Sequence, residues 1–342
     1  MIAVKAMSTT DTDPHNSVDP NIWHYHPKVP IPQGGIFRRI WDPVFVLKGI
    51  LLSWFGLYVR GLALGLITVL WLTVLPSMDE IAAAGTLWIG QILLVNDALM
   101  LAWAGGLHLY LHRYAKQGRF LKFDTKPMRK GPQYTFGDQV YDNMFWTLAW
   151  SVPIWTAYEC GLLWLLSQGM IPDNSWDQSA LWFVLLFVLI PFVDSTHFYM
   201  THRFLHWGRV YTHIHSVHHR NVNVGPWSGM SMHPIESAIF LSPVLIHLFL
   251  PSHPIHIVFH ITWLSLGPAT THCGFAALSI GGKEYPRLGD FFHTLHHRFF
   301  ECNYGNSEVP LDDHYGSFHD GSQAATERIN QRFKALREAG TS

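Results

Sequence analysis

Four stretches of this chain hold long runs that nearly exclude charge, and such runs leave few folds open. Ile50 to Leu75 carries Arg60 as its one Lys or Arg and is closed by Pro76. Leu87 to Tyr110 follows with Asn96 and Asp97 inside it, then Phe145 to Leu166, then Leu181 to roughly Met200. A helix needs ~20 apolar residues to cross the hydrocarbon core of a bilayer. Two shorter runs, Ile239 to Leu250 and Ile255 to Leu266, flank Pro251-Ser-His-Pro254, the pattern of a re-entrant hairpin. Only 14% of the 342 residues are charged and 49% are hydrophobic. A soluble domain is usually about 25% charged, so this chain lacks the polar groups to wet its surface. The expected fold is all-α: a polytopic membrane bundle of about four spans plus the hairpin, with a cytosolic helical cap.

Loop charge sets the expected orientation. The links after the first and third runs hold Asp79, Glu80, Asp173 and Asp177 but no Lys or Arg. The loop after the second run holds Arg113, Lys116, Arg119, Lys122, Lys126, Arg129 and Lys130, and the N-terminal arm adds Lys28, Arg38, Arg39 and Lys48. Basic loops stay in the cytoplasm, so the arm, the basic loop and the segments after the fourth run share that side. The polar, proline-rich arm (1–48) opens without a basic stub and apolar core, so it does not read as a secretory signal. It is expected to be loose, ending at the bilayer surface around Phe37 to Trp41. Membrane helices over 49–180, a catalytic region over 181–320 and a charged helical tail over 321–342 complete the expected organisation. The net charge of -1 offers no basic surface for nucleic acid. Three cysteines without framework spacing read as core thiols.

The chemistry lies in the histidines, 23 in all. Asp194 to His219 reads D-S-T-H-F-Y-M-T-H-R-F-L-H-W-G-R-V-Y-T-H-I-H-S-V-H-H, and His293-Thr-Leu-His296-His297 follows near the C-terminus. On a helix, residues three or four apart share a face. His202 with His206, His215 with His218 and His219, and His293 with His296 and His297 would each point one way. Imidazole is a good ligand for zinc, copper, iron or nickel, and these sets exceed what one ion can use. A two-metal site is expected on the cytoplasmic face, within reach of a lipid tail. No H-E-x-x-H supports a zinc protease, and Glu-x-x-His helices of carboxylate-bridged bundles are lacking. A nearly all-histidine set leaves iron, zinc and copper open.

H-R-F-L-H, H-S-V-H-H and H-T-L-H-H resemble the three histidine boxes of the fatty acid hydroxylase/sterol desaturase superfamily. Asp194 before the first box and Asn303-Tyr304-Gly305 after the last resemble that family's surroundings. The resemblance covers Leu181 to His319. It implies two non-haem irons that use O2 to hydroxylate or desaturate a lipid, sterol-like or fatty acyl. It also implies an external electron donor, cytochrome b5- or ferredoxin-like with its reductase, since the chain has no H-P-G-G haem signature. His202, His206, His215, His218, His219, His293, His296 and His297 are the expected ligands, and His272 in Thr-His-Cys-Gly resembles an additional family histidine. A bacterial inner membrane or the endoplasmic reticulum would house such an enzyme.

Ligating imidazoles need an acceptor for their second nitrogen. Asp194, eight residues before His202 and nearly on its face, is the first candidate, ahead of Asp312 and Asp313. His233, before Pro234, reads as a helix start. His256 and His260, with His247 and His253, read as buried histidines satisfied inside the apolar hairpin. His108 and His112 read as interfacial; His15, His24, His26, His314 and His319 read as solvated. A histidine-rich metal transporter or metal-binding membrane protein is the alternative, but it should place its ligands mid-span, and the compact boxes lie outside the runs.

Overall fold

The computed structural model describes residues 22–51, 60–83 and 85–338. His15, the start of the arm and part of the first apolar run lie outside the described residues. Helices dominate. The principal ones are α1 (Arg60–Thr73), α2 (Leu87–Arg113, interrupted by two π turns) and α3 (Val152–Ser167, entered through a π turn over Thr147–Ser151). They are followed by α4 (Trp176–Leu205), α5 (Pro234–Leu241, continuing as a 3-10 turn to Leu248), α6 (Pro254–Thr271) and α7 (Phe291–Phe299). The charged tail forms α8 (Gln323–Glu338).

By length and apolar composition, two of these, α2 and α4, could cross a membrane. α4 runs past the expected boundaries on both sides. Ser175 starts it by accepting from the Gln178 amide while Gln178 reaches back to the Ser175 N–H, a reciprocal cap. It continues through Pro191 to Leu205, so His202 rides on the same helix as the apolar run. α6 is the centre of the bundle: nearly every residue from Ile255 to Leu266 is buried, against α1, α3, α4 and the turn Pro226–Met230. Of the two short runs expected as a hairpin, the first falls in the end of α5 and its 3-10 turn and the second in α6. Pro234 of α5 and Pro254 of α6 sit in first turns, where a missing N–H costs nothing.

Two charges inside the apolar helices, Arg60 and Glu159, are partnered. Arg60 forms a two-pronged pair with Glu308 at 2.8 and 3.0 Å and lies over the Trp263 ring. Asn96 donates to Glu159 at 2.9 Å and to Thr156 at 3.1 Å, deep between α2 and α3. All three cysteines are buried and free.

Three expectations change here. The arm is not loose from Ile22 onward: Trp23 and Val29 are buried with Phe123, Phe291 and Leu295, and the His24 amide bonds the Phe123 carbonyl. Aromatic burial overrides the polar composition. The fold is also not purely helical, because Ala277–Ile280 and Lys283–Arg287 pair as an antiparallel ribbon. Gly281 and Gly282 both take positive φ in its two-residue turn, the conformation that favours glycine. His319, finally, is buried and stacked on Phe299 rather than solvated.

Candidate metal centre

Four structural pieces deliver imidazoles to one place. His202 and His206 come from the C-terminal turn of α4, and His215, His218 and His219 from a short helical segment at 208–219. That segment contains a π turn over Tyr211–His215, a local rewinding frequent at functional sites. His293, His296 and His297 lie along α7, which Asp290 caps and Phe300 ends with φ of 63°. His272 sits at the C-terminus of α6.

The nine expected histidines divide into two clusters. His202, His206, His215, His219 and His296 form one, and His218, His272, His293 and His297 the other, with the ligand atoms of each within 4.8 Å of one another. In the first, Nε2 atoms approach at 3.1 Å (His202–His215 and His206–His219), 3.2 Å (His206–His296) and 3.0 Å (His219–His296). In the second, His272 lies 3.0, 3.1 and 3.4 Å from the Nε2 atoms of His293, His297 and His218.

The opposite edge of each ring decides what those contacts are. The Nδ1 of His202 faces the Tyr304 carbonyl at 2.6 Å, that of His296 the Cys302 carbonyl at 2.6 Å and that of His272 the Pro268 carbonyl at 2.9 Å. His218 faces the Ser231 carbonyl at 3.3 Å, and His215 the Glu236 carboxyl at 2.7 Å. A carbonyl can only accept, so the Nδ1 atoms of His202, His296, His272 and His218 carry the protons and leave Nε2 as a bare lone pair. Lone pairs facing one another at ~3 Å repel, and a shared cation reverses the sign. The donor set therefore fits metal ions.

Electrostatics agree. Burial, reinforced by neighbouring imidazoles, pushes His215, His219, His272, His293, His296 and His297 well below the ordinary histidine range, and lowers His206. His218 is pushed down to about 4, again by burial. All are neutral at pH 7, the form that ligates.

Asp194 is corrected. Its Oδ1 accepts from His260 at 2.6 Å, while His202 is held by the Tyr304 carbonyl. Eight residues make 800° on a helix, near enough to the same face, but the rise separates the two by about 12 Å. Glu236, which the sequence reading missed, is the carboxylate on a cluster histidine. Its one signal was a lone acid just after His233-Pro234 and before an apolar run. Asp312 acts one step further out: its carboxylate accepts from the Tyr304 and Gly305 amides and so fixes the carbonyl that receives His202. His233 caps α5, and His256 bonds the Phe183 carbonyl, as expected of non-ligands.

A cavity of about 310 Å³ opens beside the clusters, between α4, α5 and α6. His202, His215, His218, His272 and His293 line it together with apolar Phe198, Met232, Phe240, Trp263 and Leu264. Gly229 seals one wall: a Cβ there would lie 2.4 Å from the Pro268 carbonyl, the acceptor that orients His272.

Residues 183–317, which contain all nine histidines, match the fatty acid hydroxylase family. Over 224 residues the chain is 27% identical to "Putative Delta(7)-sterol-C5(6)-desaturase 2" of Arabidopsis thaliana, covering 63% of this chain and 74% of the relative. It is 27% identical over 165 residues to a Delta(7)-sterol-C5(6)-desaturase of Nicotiana tabacum, 46% of this chain and 56% of that one. With a Delta(7)-sterol 5(6)-desaturase of Saccharomyces cerevisiae it shares 31% identity over 136 residues, 39% and 35% of the two chains. The chain thus covers about half or less of the second and third of these relatives. No solved structure matches it. The family match and these likenesses agree: residues 183–317 carry the pattern of the fatty acid hydroxylase family, and the chain is similar to sterol desaturases.

Proposed function

We propose that this protein is a membrane-bound oxidoreductase that hydroxylates or desaturates a lipid, with two non-haem irons as cofactor and O2 as co-substrate. The observation that carries the reading is the pair of buried, neutral imidazole clusters, four of their rings anchored on carbonyls, at the wall of an apolar cavity. His202, His206, His215, His219 and His296 would hold one iron, and His218, His272, His293 and His297 the other. Bound iron supplies what side chains lack, an oxidant able to break an unactivated C–H bond. The chain's own residues bind, orient and dry the site. Phe198, Phe240, Trp263 and Leu264 give a hydrocarbon chain or ring a water-poor slot beside the histidines. Glu236 and the carbonyls of Tyr304, Cys302, Pro268 and Ser231 keep five rings in one tautomer.

The domain reading extends the same argument. Helices over 49–180 and the bundle around α6 anchor a catalytic region at 181–320 in the bilayer, and the histidine end faces the cytoplasm. Four spans and a hairpin follow from the apolar runs, and loop charge supports the orientation. Electrons come from a separate cytochrome b5- or ferredoxin-like donor with its reductase. A sterol-like substrate is favoured by the names of the relatives, all of them sterol desaturases.

Metal analysis of the purified full-length protein tests the cofactor: two irons per chain and no haem Soret band are expected. Lipid mass spectrometry of cells with and without the gene tests the reaction. A gain of one oxygen or a loss of two hydrogens on one lipid class is expected. An iron-free protein that moves zinc across vesicles would overturn the reading in favour of transport.

A further inference from the structure

A second histidine system lies in the bundle, apart from the nine. Asp194 Oδ1 meets His260 Nε2 at 2.6 Å, His260 Nδ1 meets His247 Nε2 at 3.0 Å, and His247 Nδ1 meets the Ser252 hydroxyl at 2.7 Å. His260, His247 and Ser252 are fully buried. One end of this file is at the cavity: Asp194 lines it, and the second carboxyl oxygen, Oδ2, is buried with no hydrogen-bond partner. The other end lies under a surface loop. Ser252 bridges to Asp173 and exchanges backbone bonds with Pro172 and Asn174, and Pro172, Asp173 and Pro251 are exposed. On α6, His260 lies six residues beyond Pro254 and twelve before His272, about 18 Å from the cluster end by helix rise. The file therefore leads away from the histidine centre toward the opposite face.

We infer that Asp194, His260, His247 and Ser252 form a proton-conducting file that supplies the cavity from the face opposite the metal centre. The inference rests on the proposed reaction, which consumes protons. Hydroxylation takes R–H, O2, two electrons and two protons to R–OH and one water. Desaturation takes the same oxygen, electrons and protons with a saturated lipid to an alkene and two waters, the electrons coming from the external donor protein. An imidazole accepts at one nitrogen and releases at the other, so two in series pass a proton along, and each ring then turns over to restore its starting tautomer. With Ser252 donating to His247 Nδ1, His247 Nε2–H donates to His260 and His260 Nε2–H to the Asp194 carboxylate, and every link is satisfied. A proton entering at Ser252 moves one bond at a time and emerges on Asp194 Oδ1. Rotation of the carboxyl presents it to the cavity, and rotation of the Ser252 hydroxyl between His247 and the Leu250 carbonyl, 2.8 Å away, resets the entrance. Packing alone would be served as well by apolar residues of the same volume, without the cost of burying four polar groups. The titratable neighbours of the file are His197 on α4, His256 on α6 and the Arg60–Glu308 pair at the cavity.

The test uses the full-length protein in lipid nanodiscs, as wild type and as Ser252→Ala, His247→Phe and Asp194→Asn. With zinc supplied in place of iron there is no turnover, and infrared difference spectroscopy after a pH jump follows the protonated-carboxyl band that Asp194→Asn removes. Slowing of that band by about tenfold or more in Ser252→Ala and His247→Phe is expected. With iron, the same two variants should lose kcat by roughly 10- to 100-fold at unchanged KM and release more peroxide per O2 consumed. Imidazole added to His247→Ala should restore the rate. Equal infrared rates and equal kcat in wild type and Ser252→Ala, which lacks a single oxygen atom and keeps the fold, would overturn the relay. If the wild type binds no iron and oxidises no lipid, the functional reading fails instead, and the infrared measurement still decides whether the file conducts.

Discussion

Two i,i+4 histidine pairs can be set side by side. His202 and His206 on α4 join a metal-type cluster, whereas His256 and His260 on α6, with the same spacing, join none. Both pairs are buried to a large degree and both stand among other histidines. The difference is where the second nitrogen goes. In the cluster, carbonyls take the Nδ1 protons and the Nε2 lone pairs converge. In the bundle, His260 lies between His247 and Asp194, so donors and acceptors alternate and nothing is left over for an ion. Spacing brings rings to one face; the acceptor behind each ring decides whether they form a ligand set or a hydrogen-bonded file.

The largest effect should come from the cluster. His218→Ala or His296→Ala should abolish turnover and remove at least one metal per chain, read by metal analysis, while the protein still inserts. The matching change in the bundle, His260→Asn, should leave the metal count at the wild-type value; loss of both metals there would erase the contrast. Next come the acceptors. Glu236→Ala should weaken metal retention by ~10–100-fold in a chelator competition, and Asp194→Asn should leave it unchanged. Equal retention in both would mean that the carboxylate behind His215 has no special part.

A packing change should have a smaller, indirect effect. Gly229→Ala drives a methyl group into the Pro268 carbonyl and should cost ~1–3 kcal/mol in thermal or denaturant unfolding, with some loss of metal through the displaced His272. The smallest effect concerns His319, which burial pushes down to about 4. Its neutral form belongs to the folded state, so its stability contribution is complete above the unfolded value near 6.5 and falls as pH drops from there toward 4. His319→Gln should flatten that slope by about 1–2 kcal/mol near pH 5; an unaltered slope would show that His319 does not titrate on unfolding.

Eight of the nine cluster histidines were legible because three boxes put rings on common helical faces, and the ninth, His272, because of its Thr-His-Cys-Gly context. Asp194 was a sound candidate by helical phase and missed by rise: an angle can be read from a spacing, but a partner across the bundle cannot. Glu236 was overlooked because it belongs to no box, and the carbonyls of Tyr304, Cys302, Pro268 and Ser231 leave no trace in side-chain identity at all. The arm misled in the opposite sense, since a polar, proline-rich composition concealed Trp23 and Val29.

Residue order alone was enough to indicate an apolar helical bundle, grouped imidazoles and a resemblance to the fatty acid hydroxylase family, because helix length and helical phase are local properties of consecutive residues. Which imidazoles share an ion, which carbonyl holds each proton and which carboxylate faces the cavity were decided only by folding. Those relations join residues as far apart as His202 and Tyr304, or Asp194 and His260, and they exist only once α4, α6 and α7 have packed.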